Sequence, residues 1–250
     1  MSRVLVVLPA QDFDPSEAAI PWQILTQAGC EVAFATPAAQ AARADQRMLT
    51  GAGLGPWKAL LQAATDARAA YLRMERAAAF LEPRAWSGIR IQDFDALLLP
   101  GGHAPGMKPY LESALLQDLV VQTLGVGKPL AAICHGVLLA ARSRDPQTGR
   151  SVLWGRRTTS LLEAQELLAW NLTRLWLGRY YRTYTQTTQA EVTSLLRAPS
   201  DFIPGPLPLS RDAPGHLAAG FVCRDRNYLS ARWPGDAHAL AQALLELLAA

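Results

Sequence analysis
Three apolar runs without alternation constrain this chain more than any other feature. They are Val4-Leu5-Val6-Val7-Leu8, Ala96-Leu97-Leu98-Leu99 after Asp95, and Leu130-Ala131-Ala132-Ile133 after Pro129. A strand with one wet face alternates apolar and polar side chains, so an unbroken short run marks a strand covered on both faces. Such strands belong to parallel sheets layered with helices. The segments between the runs agree. Asp14-Pro15-Ser16-Glu17 places a proline and an acid in a first helical turn, and Gly29 closes that helix. Glu31-Val32-Ala33-Phe34-Ala35 is a second strand, so the chain opens as a βαβ unit with a right-handed crossover. A helix is expected around residues 112 to 124. Arg157-Thr158-Thr159-Ser160 reads as a short strand, followed by a helix from about 162 to 177. Gly220 to Cys223 and Tyr228 to Ala231 read as late strands, and a last helix starts near Pro234-Gly235-Asp236. This alternation predicts one α/β domain over residues 1–250, with a doubly wound, mostly parallel sheet and helices on both faces.

Residues 36 to about 90 depart from that rhythm. Gly51, Gly53, Gly55 and Pro56 mark a loop, and Trp57 to Phe80 has helical periodicity. A helical insertion is expected around residues 56–82, either as a lid over a site or as extra helices on the sheet.

Composition excludes several classes. Half of the 250 residues are apolar and 18% are charged, enough apolar surface to offset the entropy of ordering. The apolar runs fall short of the roughly 18 residues of a membrane span, and the N-terminal run is too short for a signal-peptide core. A soluble cytoplasmic protein is the expectation. Arg142, Arg144, Arg150, Arg156 and Arg157 form the densest basic stretch, without a nucleic-acid-binding motif. It reads as a solvated loop, and no nucleic-acid partner is expected. Cys30, Cys134 and Cys223 are odd in number and lack C-x-x-C spacing, which argues against disulfides and structural zinc. No metal or cofactor is called for.

Ala132-Ile133-Cys134-His135-Gly136 is the strongest chemical signal. A buried strand ends, a helix begins, and a nucleophile-type residue sits on the turn between small neighbours. That is the geometry of a nucleophile elbow with Cys in place of Ser. The helix N-terminus behind Cys134 is expected to lower the thiol pKa. Pro100-Gly101-Gly102-His103 follows another buried strand, and its glycines let backbone N–H groups turn inward as an anion nest. Beside Cys134, the N–H groups of Gly101, Gly102 and His103 would hold an oxyanion. Glu17 follows the first strand at the same sheet edge, where it can share a proton with a thiol; taken alone it is an ordinary first-turn glutamate.

Together these segments resemble the ThiJ/PfpI superfamily, whose fold is class I glutamine-amidotransferase-like, a flavodoxin-like doubly wound sheet. The resemblance rests on Asp14-Pro15-Ser16-Glu17 with Pro21, Leu99-Pro100-Gly101-Gly102-His103 and the elbow. Arg157-Thr158-Thr159-Ser160 and Asn227-Tyr228-Leu229-Ser230-Ala231-Arg232 add to it. It implies Cys134 as nucleophile, His135 as its partner, Glu17 as the carboxyl bonded to the thiol, and Gly102 and His103 as oxyanion donors. Members include PfpI-type peptidases, glyoxalase III enzymes, protein deglycases, holdase chaperones and oxidative-stress sensors, and the resemblance suggests a homodimer.

Two departures narrow the choice. None of His103, His135, His216 or His238 is followed two residues later by Glu, which disfavours glutamine hydrolysis. Glu163 and Glu166 stand where one branch places the third triad acid, though each also reads as a solvated helix residue and a partner subunit could supply the acid instead. The leading expectation is a cysteine enzyme for small reactive carbonyls, converting methylglyoxal to lactate without glutathione. The alternatives are a PfpI-like amidase or peptidase, and a non-enzymatic thiol sensor or holdase. His216 and His238 read as surface residues, and Cys30 and Cys223 as core fillers. The tryptophans and the Tyr180, Tyr181, Tyr184 cluster read as packing for the added helices, some at a pocket mouth.

Overall fold
The three apolar runs lie at the centre of a seven-stranded sheet and are essentially inaccessible to water. The computed structural model describes residues 1–249. In chain order it begins β1 (Arg3–Val7), β2 (Gln11–Phe13), α1 (Pro15–Gln27), β3 (Glu31–Thr36), β4 (Arg43–Ala44) and α2 (Gln46–Thr50). Then come α3 (Lys58–Leu61), α4 (Thr65–Met74), α5 (Ala78–Leu81), β5 (Arg84–Ala85), β6 (Ala96–Leu99), α6 (Lys108–Leu111) and α7 (Ala114–Gly125). The chain finishes with β7 (Leu130–Ile133), α8 (Gly136–Arg142), α9 (Glu163–Leu177), α10 (Thr188–Ser194), β8 (Val222–Asp225), β9 (Tyr228–Ala231) and α11 (Ala237–Ala249).

The sheet order is β5-β3-β1-β6-β7-β9-β8, and every pairing is parallel except the β8–β9 hairpin. From β1 the chain moves to β3 on one side and later to β6 on the other. The order reverses between β1 and β6, which opens a crevice at the carboxyl ends of these strands. One helical layer holds α1, α4 and α11; α6, α7 and α8 pack together in the other. Asp14 caps α1, its Oδ1 accepting the N–H groups of Ser16 (2.7 Å) and Glu17 (3.2 Å).

Residues 157–160, expected as a strand, make only a single bridge, between Thr158 and Phe202. The edge of β9 is already taken by β8, and the threonine hydroxyl turns to side chains instead. Thr158 Oγ1 lies 3.0 Å from the Tyr228 hydroxyl and donates to Ser230 Oγ at 3.2 Å. The segment 56–82 forms α3, α4 and α5. Most of it joins the sheet layer: α4 buries Ala67, Ala70, Tyr71 and Met74 beside α1, and Phe80 stacks edge-on against Phe34. Only α3 approaches the crevice. Two surface expectations also change. Arg142 is half-buried and forked onto Glu191 (2.6 and 2.9 Å), and His238 is buried between Asp212 (3.0 Å) and Asp66 (3.4 Å). Among the described residues, no helix is long and apolar enough to cross a membrane.

Candidate active site
Cys134 sits between β7 and α8 with φ at +58°, a conformation a non-glycine residue holds only when its surroundings impose it. The imposing contacts are backbone. A Cβ on Gly136 would lie 2.1 Å from the Leu99 carbonyl oxygen, so β6 presses directly on the elbow. A Cβ on Gly101 would meet His135 N at 2.7 Å and Glu17 Oε2 at 2.8 Å. These glycines allow three strand ends to converge on one sulfur.

Glu17 comes from the first turn of α1 and is fully buried. The Gly101 N–H donates to its Oε2 at 2.7 Å. Gly101 therefore holds the carboxyl and is not a free oxyanion donor, a correction to its expected role. Glu17 Oε1 is buried without a hydrogen-bond partner, and the carboxyl neighbours the Cys134 thiol. Burial, reinforced by the Asp14 carboxylate, pushes Glu17 well above the usual carboxylate range. Asp14 itself is pushed up to about 6, again by burial.

The thiol does not behave as the sequence led us to expect. Burial pushes Cys134 up, and the carboxylates of Glu17 and Asp14 push the same way. The His135 N–H on the sulfur pulls it down and is outweighed. The first turn of α8 contributes a fractional charge, which cannot offset removing the thiolate from water beside two acids.

Burial takes both imidazoles down to about 3, so His103 and His135 are neutral. His135 Nδ1 lies 3.5 Å from Cys134 Sγ. Its Nε2 lies 3.3 Å from Thr183 Oγ1, whose own proton goes to the His103 carbonyl oxygen at 2.6 Å. The hydroxyl must then accept from Nε2–H, which leaves Nδ1 as an acceptor facing the sulfur. A threonine thus stands where an acid was expected. Glu163 accepts the Thr187 hydroxyl at 2.6 Å. Glu166 accepts the Thr188 N–H at 2.8 Å and pairs with Arg182 at 3.4 Å. Both glutamates tie α9 to the start of α10, and neither bonds His135.

His103 stacks on Tyr181, centroids 4.2 Å apart, with its Nε2 4.0 Å from Asp45. Asp45 in turn accepts the Tyr180 hydroxyl and the N–H groups of Arg47 and Met48. The N–H groups of Gly102 and His103 meet no protein acceptor among the described residues.

Cys134, Glu17, Gly102 and His103 open into a cavity of about 220 Å³. Its opposite wall is Leu161, Leu168, Ala169 and Leu172 of α9 and the turn before it, with Leu60 and Leu61 of α3 and Leu209 at the rim. Sequence reasoning named none of these, because helical leucines look alike until they are packed. Tyr181 and Trp233 also line it, so two of the expected packing aromatics belong to the site. Tyr181 OH, Trp233 Nε1 and Gln165 Oε1 are buried there without partners.

A family model described as ThiJ/PfpI family-like matches residues 8–197. The chain belongs to this family. Across 99% of its length this ThiJ/PfpI protein is 27% identical to an uncharacterized protein of Schizosaccharomyces pombe, covering 84% of that chain. A deglycase of Pyrococcus abyssi is 38% identical over 78 residues, 30% of this chain and 40% of its own. Among solved structures, the Rapid Encystment Protein of Francisella tularensis superposes with a TM-score of 0.71 at 15% identity, covering 99% of both chains. Glyoxalase III of Candida albicans gives 0.66 at 16% identity, covering 98% of this ThiJ/PfpI chain and 97% of that one. At such identities the structures establish the fold alone.

Proposed function
We propose that this protein is a cysteine enzyme acting on reactive carbonyls, converting a 2-oxoaldehyde to a 2-hydroxy acid without glutathione. One observation carries the reading: the carboxyl of a fully buried Glu17, its Oε1 unpartnered, neighbours the thiol of Cys134. Of the two bases beside the sulfur, burial holds His135 near 3 and pushes Glu17 well above the usual carboxylate range, which makes Glu17 the stronger base. Proton transfer from a thiol costs less to the stronger base, so Glu17 takes that role.

In this scheme Cys134 Sγ forms a bond to the aldehyde carbon while the thiol proton passes to Glu17. The carbonyl electron pair becomes an oxyanion, which the N–H groups of Gly102 and His103 receive and which then takes the thiol's proton from Glu17, giving a hemithioacetal and restoring the carboxylate. Glu17 next moves the remaining hydrogen of that carbon, as a proton, to the neighbouring carbon through an enediol. The first carbon rises to the thioester level and the ketone falls to an alcohol, so the redox change is internal. Water cleaves the thioester, releasing the hydroxy acid and the thiol.

Two observations favour this over amide hydrolysis. The neutral His135 is backed by Thr183 rather than an acid, and the cavity is capped by α9. A thiol sensor is disfavoured because Cys134 is 4% exposed with a raised pKa, whereas oxidation needs an accessible thiolate. The test compares wild type with Cys134→Ala on methylglyoxal and larger 2-oxoaldehydes without glutathione, assaying the hydroxy acid. Product that vanishes in the variant supports the reading. No product from any 2-oxoaldehyde with folded wild type removes it. The relatives titled deglycase and glyoxalase III motivate the same panel.

A further inference from the structure
We infer that the preferred substrate carries an apolar chain several carbons long in place of the methyl group of methylglyoxal. The inference rests on the carbonyl reading above and concerns what fills the cavity behind the reacting carbon. An apolar void of roughly 150 Å³ already holds benzene. At about 220 Å³, this cavity is larger than methylglyoxal, with five heavy atoms, can fill.

The wall facing the sulfur is hydrocarbon, from Leu161, Leu168 and Leu172 to Leu60 and Leu209. Leu60, Leu168 and Leu209 are 53%, 55% and 88% exposed. Apolar side chains that both line a cavity and stand in water gain when a chain covers them. The carboxyls of Asp14 and Glu166 lie on the same walls, and the rim cation Arg211 is spread over the Trp233 ring at 5.1 Å. A neutral tail suits these walls better than a carboxylate. Tyr181 OH and Trp233 Nε1–H, buried without partners, offer donors for an oxygen on the substrate's reactive end.

The experiment measures kcat/KM for 2-oxooctanal and methylglyoxal side by side. Each methylene buried is worth about fourfold, so three buried carbons give a preference of roughly 60-fold for the longer aldehyde. Leu172→Gln, on the cavity wall, should cut that ratio at least about tenfold. A wild-type ratio near one overturns the inference and leaves the carbonyl reading standing. If neither aldehyde is turned over, the carbonyl reading fails and binding alone judges the cavity. Calorimetry with 1,2-octanediol and 1,2-propanediol should show the longer diol binding at least about tenfold tighter, with the gap closing in Leu172→Gln. Equal affinities would overturn the inference.

Discussion
At the strand ends, Cys134 is held by backbone: Gly136 against Leu99, Gly101 against Glu17, and Asp14 capping the helix that presents Glu17. Across the cavity, α9, α3 and the loop through Pro208 and Leu209 face it with aliphatic side chains, several half in water. One half positions reacting atoms and tolerates no extra atom. The other half shapes a volume, and its contacts are those of side chains that can be exchanged at modest cost. Chemistry and specificity therefore reside in different parts of this chain, and each can be perturbed separately.

In the capping half the loop that carries Leu209 is anchored by a buried arginine, and removing it should give the largest stability effect. Arg232 is fully buried, donates to Asp236 at 2.8 and 2.9 Å and reaches the carbonyl of Pro206 in the loop that carries Leu209. Arg232→Ala should cost about 3–5 kcal/mol in urea unfolding, because it strands a buried carboxylate. A loss below about 1 kcal/mol would show that the loop is held otherwise.

The strand-end half breaks chemically at Glu17. Glu17→Gln should lower kcat/KM about a hundredfold with little change in melting temperature. In wild type both Glu17 and Cys134 are pushed up, so activity should rise with pH as the pair loses its first proton. Removing Glu17 leaves only the limb of the thiol, at a higher pH. An acid limb that stays in place in the variant would mean that another group sets it.

A third comparison uses the buried imidazoles. An unfolded histidine binds a proton near 6.5, whereas His103 and His135 do so only near 3 in the folded chain. Their stabilisation is complete above pH 6.5 and is lost as pH falls toward 3. Each should contribute a slope of about 1.4 kcal/mol per pH unit across that window. His103→Gln should remove one such slope from a plot of unfolding free energy against pH; an unchanged plot would refute the buried-neutral assignment.

The smallest effect is expected at Thr183. Thr183→Val removes the acceptor that fixes the His135 tautomer, and with Glu17 as the base it should cost only a few-fold in kcat. A loss as large as that of Glu17→Gln would transfer the base role to His135.

Much of the strand-end half was legible in the chain. Unbroken apolar runs specify buried parallel strands, and a Cys between small residues at a strand end specifies an elbow, because both are local steric demands. The short strand expected at 157–160 failed for a reason no local pattern carries: the sheet edge it would join was filled by β8. Glu163 and Glu166 were misplaced in the same way, since the order of residues says nothing of which side chain α10 and Arg182 will claim.

Residue order by itself determined the central parallel strands, the elbow at Cys134 and the Gly101-Gly102 turn at the same sheet edge; the place of Glu17 beside the thiol came from the family resemblance. Strands, elbow and turn each follow from backbone sterics within a few residues and from the topology those strands impose. Only the tertiary structure decided the sign of the thiol shift, the threonine behind His135 and the apolar cap. Desolvation depends on everything that surrounds a group, and a cavity wall exists only once distant helices have met.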